Sequence, residues 1–298
     1  MDVSWMGVMV GRMKFCMTRR RSMALLAAGA AGAAGSLVHA FGIEPRWLGV
    51  TRKVVECPML SPGWDGMRVG VLADIHFKPG KDDRLLCEAV EVLIREKPDV
   101  IVMPGDFIDH SPAVLGPMLR ILSGLSAPLG VYASPGNHDG WTMDCDVMRR
   151  KFEKSGIAFL INANTRVSGR GGELVIAATD HVWLGKPDPG RAMRGVGRDE
   201  SVIALVHEPD YFDVMVEHRP MALQVSGHTH GGQCKVPVFG YAPARVAYGR
   251  KYLEGAYEVG DARLFVTRGL GTTGLRVRFA CTPEVAVLTL RARGYASG

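Results

Sequence analysis

The sequence predicts an α/β protein, and three observations carry that prediction. Short apolar runs end abruptly at Asp, Asn or His. Between the first three of them lie stretches with apolar residues at helical spacing, which gives strand, helix, strand, helix, strand within about 70 residues and hence βαβ units on a largely parallel sheet. Beyond residue 157 the texture changes to short strands separated by turns, which predicts a second, mixed sheet. With 298 residues, 47% of them hydrophobic, the chain can bury a substantial core. No internal repeat interrupts it after residue 62, so residues 63–293 are read as one domain.

The elements follow in order. Residues 1–40 hold five basic side chains (Arg12, Lys14, Arg19, Arg20, Arg21) against Asp2, so the formal charge of +6 sits mostly in this leader and the remainder carries only +2. Nucleic-acid binding is therefore not expected. Thr18-Arg19-Arg20-Arg21-Ser22-Met23, followed by an Ala, Gly and Leu run from Met23 to Val38, has the layout of a twin-arginine export signal, and Val38-His39-Ala40 supplies small residues for cleavage after Ala40. The alternative is an uncleaved anchor, against which the run counts: sixteen residues span about 24 Å, short of the roughly 30 Å hydrocarbon core. Charges ahead of the run favour an exported domain with the twin-arginine translocase as partner. The long n-region leaves room for a start at Met13 or Met17. Six cysteines (Cys16, Cys57, Cys87, Cys145, Cys234, Cys281) without a CxxC indicate neither a disulfide framework nor a thiolate metal site.

Residues 41–62 show no clean period and are read as a connector. Met67 to Ala73 is a strand. Asp82 caps a helix to Glu96 with Leu85, Leu86, Ala89, Val90, Leu93 and Ile94 on one face, and Pro98 stops it. Val100 to Met103 is a strand, Ser111 to Leu125 a helix opened by Ser111-Pro112, and Leu129 to Ala133 a third strand. A helix near Asp146 to Ser155 precedes strands at Ile157 to Ile161, Val167, Leu174 to Ala178, Ser201 to Val206 and Leu223 to Val225. A hairpin through Gly260-Asp261 and a strand from Glu284 to Leu290 complete the chain.

The chemistry sits where the apolar runs stop. Asp74-Ile75-His76 places two polar side chains on one side by two-residue alternation. Gly105-Asp106 to Asp109, Gly136-Asn137-His138-Asp139, His207-Glu208-Pro209 and Gly227-His228-Thr229-His230 occupy the corresponding positions of later runs. Each alone has an ordinary reading: Gly-Asn-His-Asp suits a turn, and His207-Glu208-Pro209 suits a helix start with Pro209 at its first position. Together they collect nitrogen and oxygen donors without sulfur, a set able to hold two divalent cations if a carboxylate bridges them; Asp106 is the natural bridge. Arg268, in a glycine-rich loop, is a candidate contact for a substrate phosphate. Trp183, Tyr241 and Tyr248 are candidates for a cleft lining, whereas His39, His110, His181 and His218 are assigned to surface or linker roles.

The ordered set Asp-x-His, Gly-Asp-x-x-Asp, Gly-Asn-His-Asp, His and Gly-His-x-His resembles the calcineurin-like metallophosphoesterase superfamily over roughly residues 67 to 291. The resemblance implies a β-sandwich of two mixed sheets flanked by helices, with a dinuclear metal site at the strand ends. It implies that Asp74, His76, Asp106 and His230 hold one metal and that Asp106, Asn137, His207 and His228 hold the other. His138 would act on the leaving group, oriented by Asp139, while Asp109 would be structural; purple acid phosphatases, a related branch, carry Tyr at that position. Mn²⁺, Fe and Zn²⁺ all suit such ligands. The expected reaction is phosphodiester hydrolysis, a metal pair acidifying a water that attacks phosphorus, with phosphomonoester hydrolysis as an alternative.

Gly227 to Gln233, Arg268 to Gly274 and Arg276-Val277-Arg278-Phe279 are similar to the exported or membrane-associated bacterial branch. Some of its wider relatives hydrolyse the pyrophosphate of UDP-2,3-diacylglucosamine in lipid A biosynthesis. That lipid substrate would require a domain at the inner face of the membrane, where the leader does not place it. A non-enzymatic scaffold is the remaining reading, and the intact motif histidines speak against it.

Overall fold

Apolar residues alternate in direction along the central strands, and this places the core on both sides of a sheet. The computed structural model describes residues 18–237, 239, 242–243 and 246–292. Arg12, Met13, Lys14, Cys16, Met17, Tyr241 and Arg293 lie outside them. Val69, Val71, Val100 and Val102 point to a second sheet, where they meet Ile176, Ile203, Leu205, Leu223 and Val225. Ile101, Met103 and Ala133 point the other way, against helices through Leu86, Leu93, Met118 and Phe152.

The strands are β1 (Gly49–Cys57), β2 (Arg68–Val71), β3 (Val100–Pro104), β4 (Val131–Ser134), β5 (Ala158–Phe159), β6 (Ala163–Gly169), β7 (Gly172–Ala178), β8 (Val202–Leu205), β9 (Leu223–Ser226), β10 (Gly255–Val259), β11 (Ala262–Val266) and β12 (Glu284–Ala292). One sheet has the order β1-β12-β2-β3-β4-β5 and the other β10-β11-β9-β8-β7-β6. Both are mixed: β12 and β2 run antiparallel in the first, and β10/β11 and β6/β7 in the second. The helices are α1 (Arg19–Val38), α2 (Asp83–Glu96), α3 (Leu115–Leu122), α4 (Asn137–Thr142), α5 (Cys145–Lys154), α6 (Pro189–Ala192) and α7 (Phe212–His218). The architecture is thus an α/β sandwich of two mixed sheets flanked by helices. Met215 of α7 joins the cluster on the outer face of the second sheet with Val175, Ala177, Val202 and Ala204.

Several sequence expectations are corrected. Residues 41–62 are not a connector, because β1 pairs in parallel with β12 from Gly49 to Cys57. As an edge strand bearing Arg52, Lys53 and Glu56 on exposed positions, it lacks the alternation that betrays a half-buried strand. Asp82 precedes α2, yet its carboxylate accepts from the Lys78 amide (3.2 Å) and from Arg276 (2.7 Å) rather than capping the helix. The expected helix 111–125 is a 3₁₀ turn, Pro112–Val114, followed by the shorter α3. His181 is buried rather than superficial.

The leader is longer in structure than its apolar run suggests. Thr18 accepts from the Arg21 amide at the start of α1, and the helix passes through a π turn, His39–Ile43, into a 3₁₀ turn, Glu44–Arg46. The 28 residues Arg19–Arg46 form one helix long and apolar enough to cross a membrane, so the length argument from sixteen residues falls away. The far end of this helix is tied to the domain. The Ala40 carbonyl accepts from the Arg278 amide (3.0 Å), and buried Glu44 accepts from the amides of Ala280 (3.0 Å) and Cys281 (2.5 Å) and pairs with His39 (3.1 Å).

Candidate metal centre

The donor motifs sit at the carboxyl ends of β2, β3, β4, β8 and β9, where both sheets of the sandwich stop along one rim. A strand exit would ordinarily carry its last side chains onward in an extended path. Here Asp74 (φ 51°), His76 (φ 42°), Asp106 (φ 57°), His228 (φ 71°) and His230 (φ 50°) adopt the left-handed region, so the chain turns sharply and the side chains converge. Such conformations are disfavoured for residues with a Cβ and persist where surrounding bonds enforce them. The Asp74 and His76 amides donate to the carbonyls of Gly105 and Asp106, each at 3.0 Å, which clamps the first motif to the second. Glycine is required at Gly105 and Gly136: a Cβ on Gly105 would lie 2.4 Å from the Gly136 nitrogen, and one on Gly136 would lie 2.2 Å from Asp106 Oδ1.

Two donor sets result. Asp74, His76 and His230 form one, and Asp106, His207 and His228 the other. Asp106 lies between them: its Oδ2 is 3.4 Å from His76 Nε2 and 3.2 Å from His207 Nε2. Its Oδ1 accepts from the His138 amide (2.9 Å), which fixes the carboxylate plane. Asn137 begins α4 with its Oδ1 buried and without a hydrogen-bond partner; Asp74 Oδ2 and His207 Nε2 are left the same way. Buried polar atoms without partners are costly unless something binds them. His207 Nδ1 donates to the Pro104 carbonyl (2.6 Å), which turns Nε2 inward toward Asp106, and His228 Nε2 contacts the Ala247 carbonyl (2.7 Å), which leaves Nδ1. Orphaned carboxylate, amide and imidazole donors in two adjoining groups fit a pair of divalent cations.

Protonation follows the same geometry. Burial opposes charge on Asp106, but His207 and His76 outweigh it and hold the carboxyl well below its usual range. Burial likewise opposes charge on His76, yet Asp106 and Asp109 carry it up to about 9; His207 is raised well above its ordinary value by Asp106 against the same burial. Burial, with His207 opposing and Asp106 adding, pushes Asp74 up to about 6. His230 and His228 are lowered by burial, and by His76 and His207 respectively.

The structure corrects two assignments. Asp139 does not orient His138, because both its oxygens accept from backbone amides: Asp106 (2.8 Å), Phe107 (3.0 Å), Ile108 (3.1 Å) and Gly136 (2.9 Å). It ties the second motif to the third. The carboxylate facing His138 is Asp109, with Oδ1 3.1 Å from His138 Nδ1 and 3.5 Å from His76 Nδ1. Arg268 does not reach toward the centre either; its guanidinium pairs with buried Glu284 (2.9 Å) and contacts Thr282 and Thr51.

Arg278 and Glu208, to which sequence reasoning assigned no role of their own, support the site from behind, while Trp141, which it passed over, joins the expected Trp183 and Tyr248 at the mouth. Arg278 is fully buried and donates to the carbonyls of Arg268, Gly269, Gly271 and Cys281, holding the glycine loop on which Asp74 rests. Glu208 accepts from the Val182 and Trp183 amides (2.9 and 3.0 Å), placing Trp183 at the mouth. There the Trp141 ring stands 4.9 Å from His138 and 4.9 Å from Trp183, and Trp183 stands 6.1 Å from His228 and 6.4 Å from Tyr248. A half-exposed aromatic wall therefore runs from His138 to His228 of the second donor set.

Comparison with known proteins agrees with this geometry. The calcineurin-like phosphoesterase family matches residues 67–232. The uncharacterized metallophosphoesterase YkuE of Bacillus subtilis is 34% identical over 89% of this chain and 93% of its own length. Phosphodiesterase YaeI of Escherichia coli is 28% identical over 92% of this chain and 99% of its own. A zebrafish (Danio rerio) transmembrane protein with a metallophosphoesterase domain is 28% identical over 80% of this chain, which spans 56% of that protein.

Proposed function

The chain belongs to the calcineurin-like phosphoesterase family and is a metal-dependent phosphoric ester hydrolase, and from that premise we propose that it is a phosphodiesterase with a dinuclear centre, held at a membrane by its N-terminal helix. One observation carries the reading: Asp106 Oδ2 lies within 3.4 Å of a donor in each of two sets. Asp74, His76, Asp106 and His230 would hold one divalent ion, and Asp106, Asn137, His207 and His228 the other. Manganese, iron and zinc all suit these donors. When bound, the pair supplies Lewis acidity and an acidified water.

The remaining chemistry belongs to side chains. His138 is partly exposed at the mouth with its Nδ1 toward Asp109 (3.1 Å), so Asp109 sets the direction of the ring and Nε2 is the nitrogen left to serve the leaving-group oxygen, to which it would give a proton as the ester bond breaks. Trp141 and Trp183 exclude water from one side and offer flat surfaces to an ester substituent. A wall beside the leaving-group histidine suits a substrate with a group on each side of phosphorus. The phosphodiesterase name of the Escherichia coli relative points the same way.

The bonds from Ala40 and Glu44 into residues 278–281 support keeping the helix as an anchor instead of losing it by cleavage after Ala40. We read the domain as lying outside the cytoplasmic membrane, delivered by the twin-arginine route. Release of nitrophenol from bis-p-nitrophenyl phosphate by the metal-loaded full chain, compared with the monoester, tests the reaction. Faster turnover of the monoester would overturn the diesterase reading.

A further inference from the structure

Where α1 and its continuation end, the molecule presents a cavity of about 320 Å³ lined by Arg46, Lys81, Arg84, Leu85, Glu88 and Arg276. Four of the six lining side chains are cationic. Arg276 is held by Asp82 (2.7 Å) and Arg46 by backbone carbonyls at the helix end, whereas among the described residues Lys81 and Arg84 have no side-chain ion pair. Lys81 and Arg84 are exposed, on the first turn of α2 and the loop before it, and Glu88 is the one acidic lining residue. With Asp82 offsetting Arg276 and Glu88 on the wall, four cations face two acids, and within the described residues Lys81 and Arg84 keep their charges unpaired.

Its position gives the charge a meaning. Arg46 is the last residue of the 28-residue apolar helix. Around that end Phe41, Ile43 and Trp47 are 46%, 50% and 61% exposed: two apolar side chains suited to the acyl region, and in Trp47 an amphipathic ring of the kind that settles at the level of lipid headgroups. With Arg19, Arg20 and Arg21 at the opposite face, the 20 residues 22–41, free of Asp, Glu, Lys and Arg, span about 30 Å of hydrocarbon, which leaves Ile43, Arg46 and Trp47 in the interfacial layer.

We propose that Arg46, Lys81, Arg84 and Arg276 form a binding site for the phosphate of an anionic phospholipid headgroup. This rests on the anchor reading of α1 and not on the hydrolase chemistry. The phosphate takes the centre of the cavity, with the guanidinium of Arg84 offering paired donors and Lys81 a point charge. Leu85 on the wall and Phe41, Ile43 and Trp47 beside the helix meet the glycerol backbone and acyl chains. A second cavity shares Lys81 and runs past Lys78 to Asp109, beside His138. A headgroup held here therefore sets the catalytic mouth at a fixed angle close to the bilayer.

The test uses the full chain in dodecyl maltoside micelles, titrated calorimetrically with dihexanoyl phosphatidylglycerol, dihexanoyl phosphatidylcholine and inorganic phosphate. The wild type is expected to bind the phosphatidylglycerol at least tenfold more tightly than either alternative. Lys81→Gln with Arg84→Gln is expected to weaken that binding roughly 10- to 30-fold, about one headgroup interaction lost per cation, while turnover of soluble bis-p-nitrophenyl phosphate stays unchanged. Equal binding of the two lipids, inorganic phosphate binding as tightly as phosphatidylglycerol, or an unaffected double variant would each overturn the site. Absence of turnover in both proteins would count against the hydrolase reading alone.

Discussion

At the scale of single residues, the division of labour among three carboxylates is the feature least visible from the chain. Asp106, Asp109 and Asp139 all lie in short polar motifs, and the family resemblance implies Asp139, next to His138, as the orienting group. Neighbours along a helix point apart, however, and Asp139 faces inward to four amides while Asp109, thirty residues earlier, meets the imidazole. Asp109→Asn is therefore expected to lower kcat by about 10- to 100-fold with metal content retained. Asp139→Asn is expected to lower thermal stability first, since it disturbs the bonds joining two loops. His138→Ala should keep its metals and lose about 10²- to 10⁴-fold in turnover; loss of metal instead would make it a ligand.

Protonation gives a further expectation at this scale. The carboxylates facing them raise His76 to about 9 and His207 well above its ordinary value, so each imidazole holds its proton more tightly than a free one. Both must lose a proton before a cation binds. Apparent metal affinity should therefore rise as pH rises toward 9 and fall as Asp74, with a pKa near 6, protonates below that value. Calorimetry of metal binding in buffers of different ionisation enthalpy measures the protons released; zero release at pH 7 would contradict the assignment.

At the scale of elements, the strands that carry the donor residues were legible and the ones that brace them were not. β2, β3, β8 and β9 are buried on both faces and read as continuous apolar runs ending in donors. β1 is an edge strand with charged exposed positions, and its partner β12 is separated from it by more than 200 residues, so no local pattern announces it. The left-handed turns that fold Asp74, Asp106 and His228 inward are equally silent, because their cause is tertiary: the amide clamp between motifs and the close approach of Gly105 to Gly136. The tail of α1 is braced in the same long-range way. Glu44→Ala leaves the buried Cys281 amide and its neighbour without an acceptor at a cost of about 1–3 kcal/mol. The thermal midpoint of the full chain in detergent should fall by roughly 2–4 °C for each kcal/mol; an unchanged midpoint would mean that the helix end is not docked. Trp141, which pairs with Trp183 across the mouth, should act mainly through binding: Trp141→Ala is expected to raise KM for an aryl diester about tenfold with kcat little changed.

At the scale of the whole molecule, the sandwich explains why donors from residues 74 to 230 meet. Parallel strands in each sheet end on the same rim, and the sheets pack through Val71, Val102, Leu205 and Val225, so one rim collects the ends of both. Asp106 comes from the first sheet and His207 and His228 from the second, which makes the centre a joint between them. Metal binding should accordingly stabilise the whole domain rather than one loop. The most direct measurement of this account is the metal content of the purified chain, by plasma mass spectrometry, alongside diester turnover, for the wild type and Asp106→Ala. Two divalent ions per wild-type chain, with at most one and no turnover in Asp106→Ala, are predicted. A wild-type chain that hydrolyses diesters with one ion or none, or an Asp106→Ala variant that keeps both ions and full rate, would contradict it.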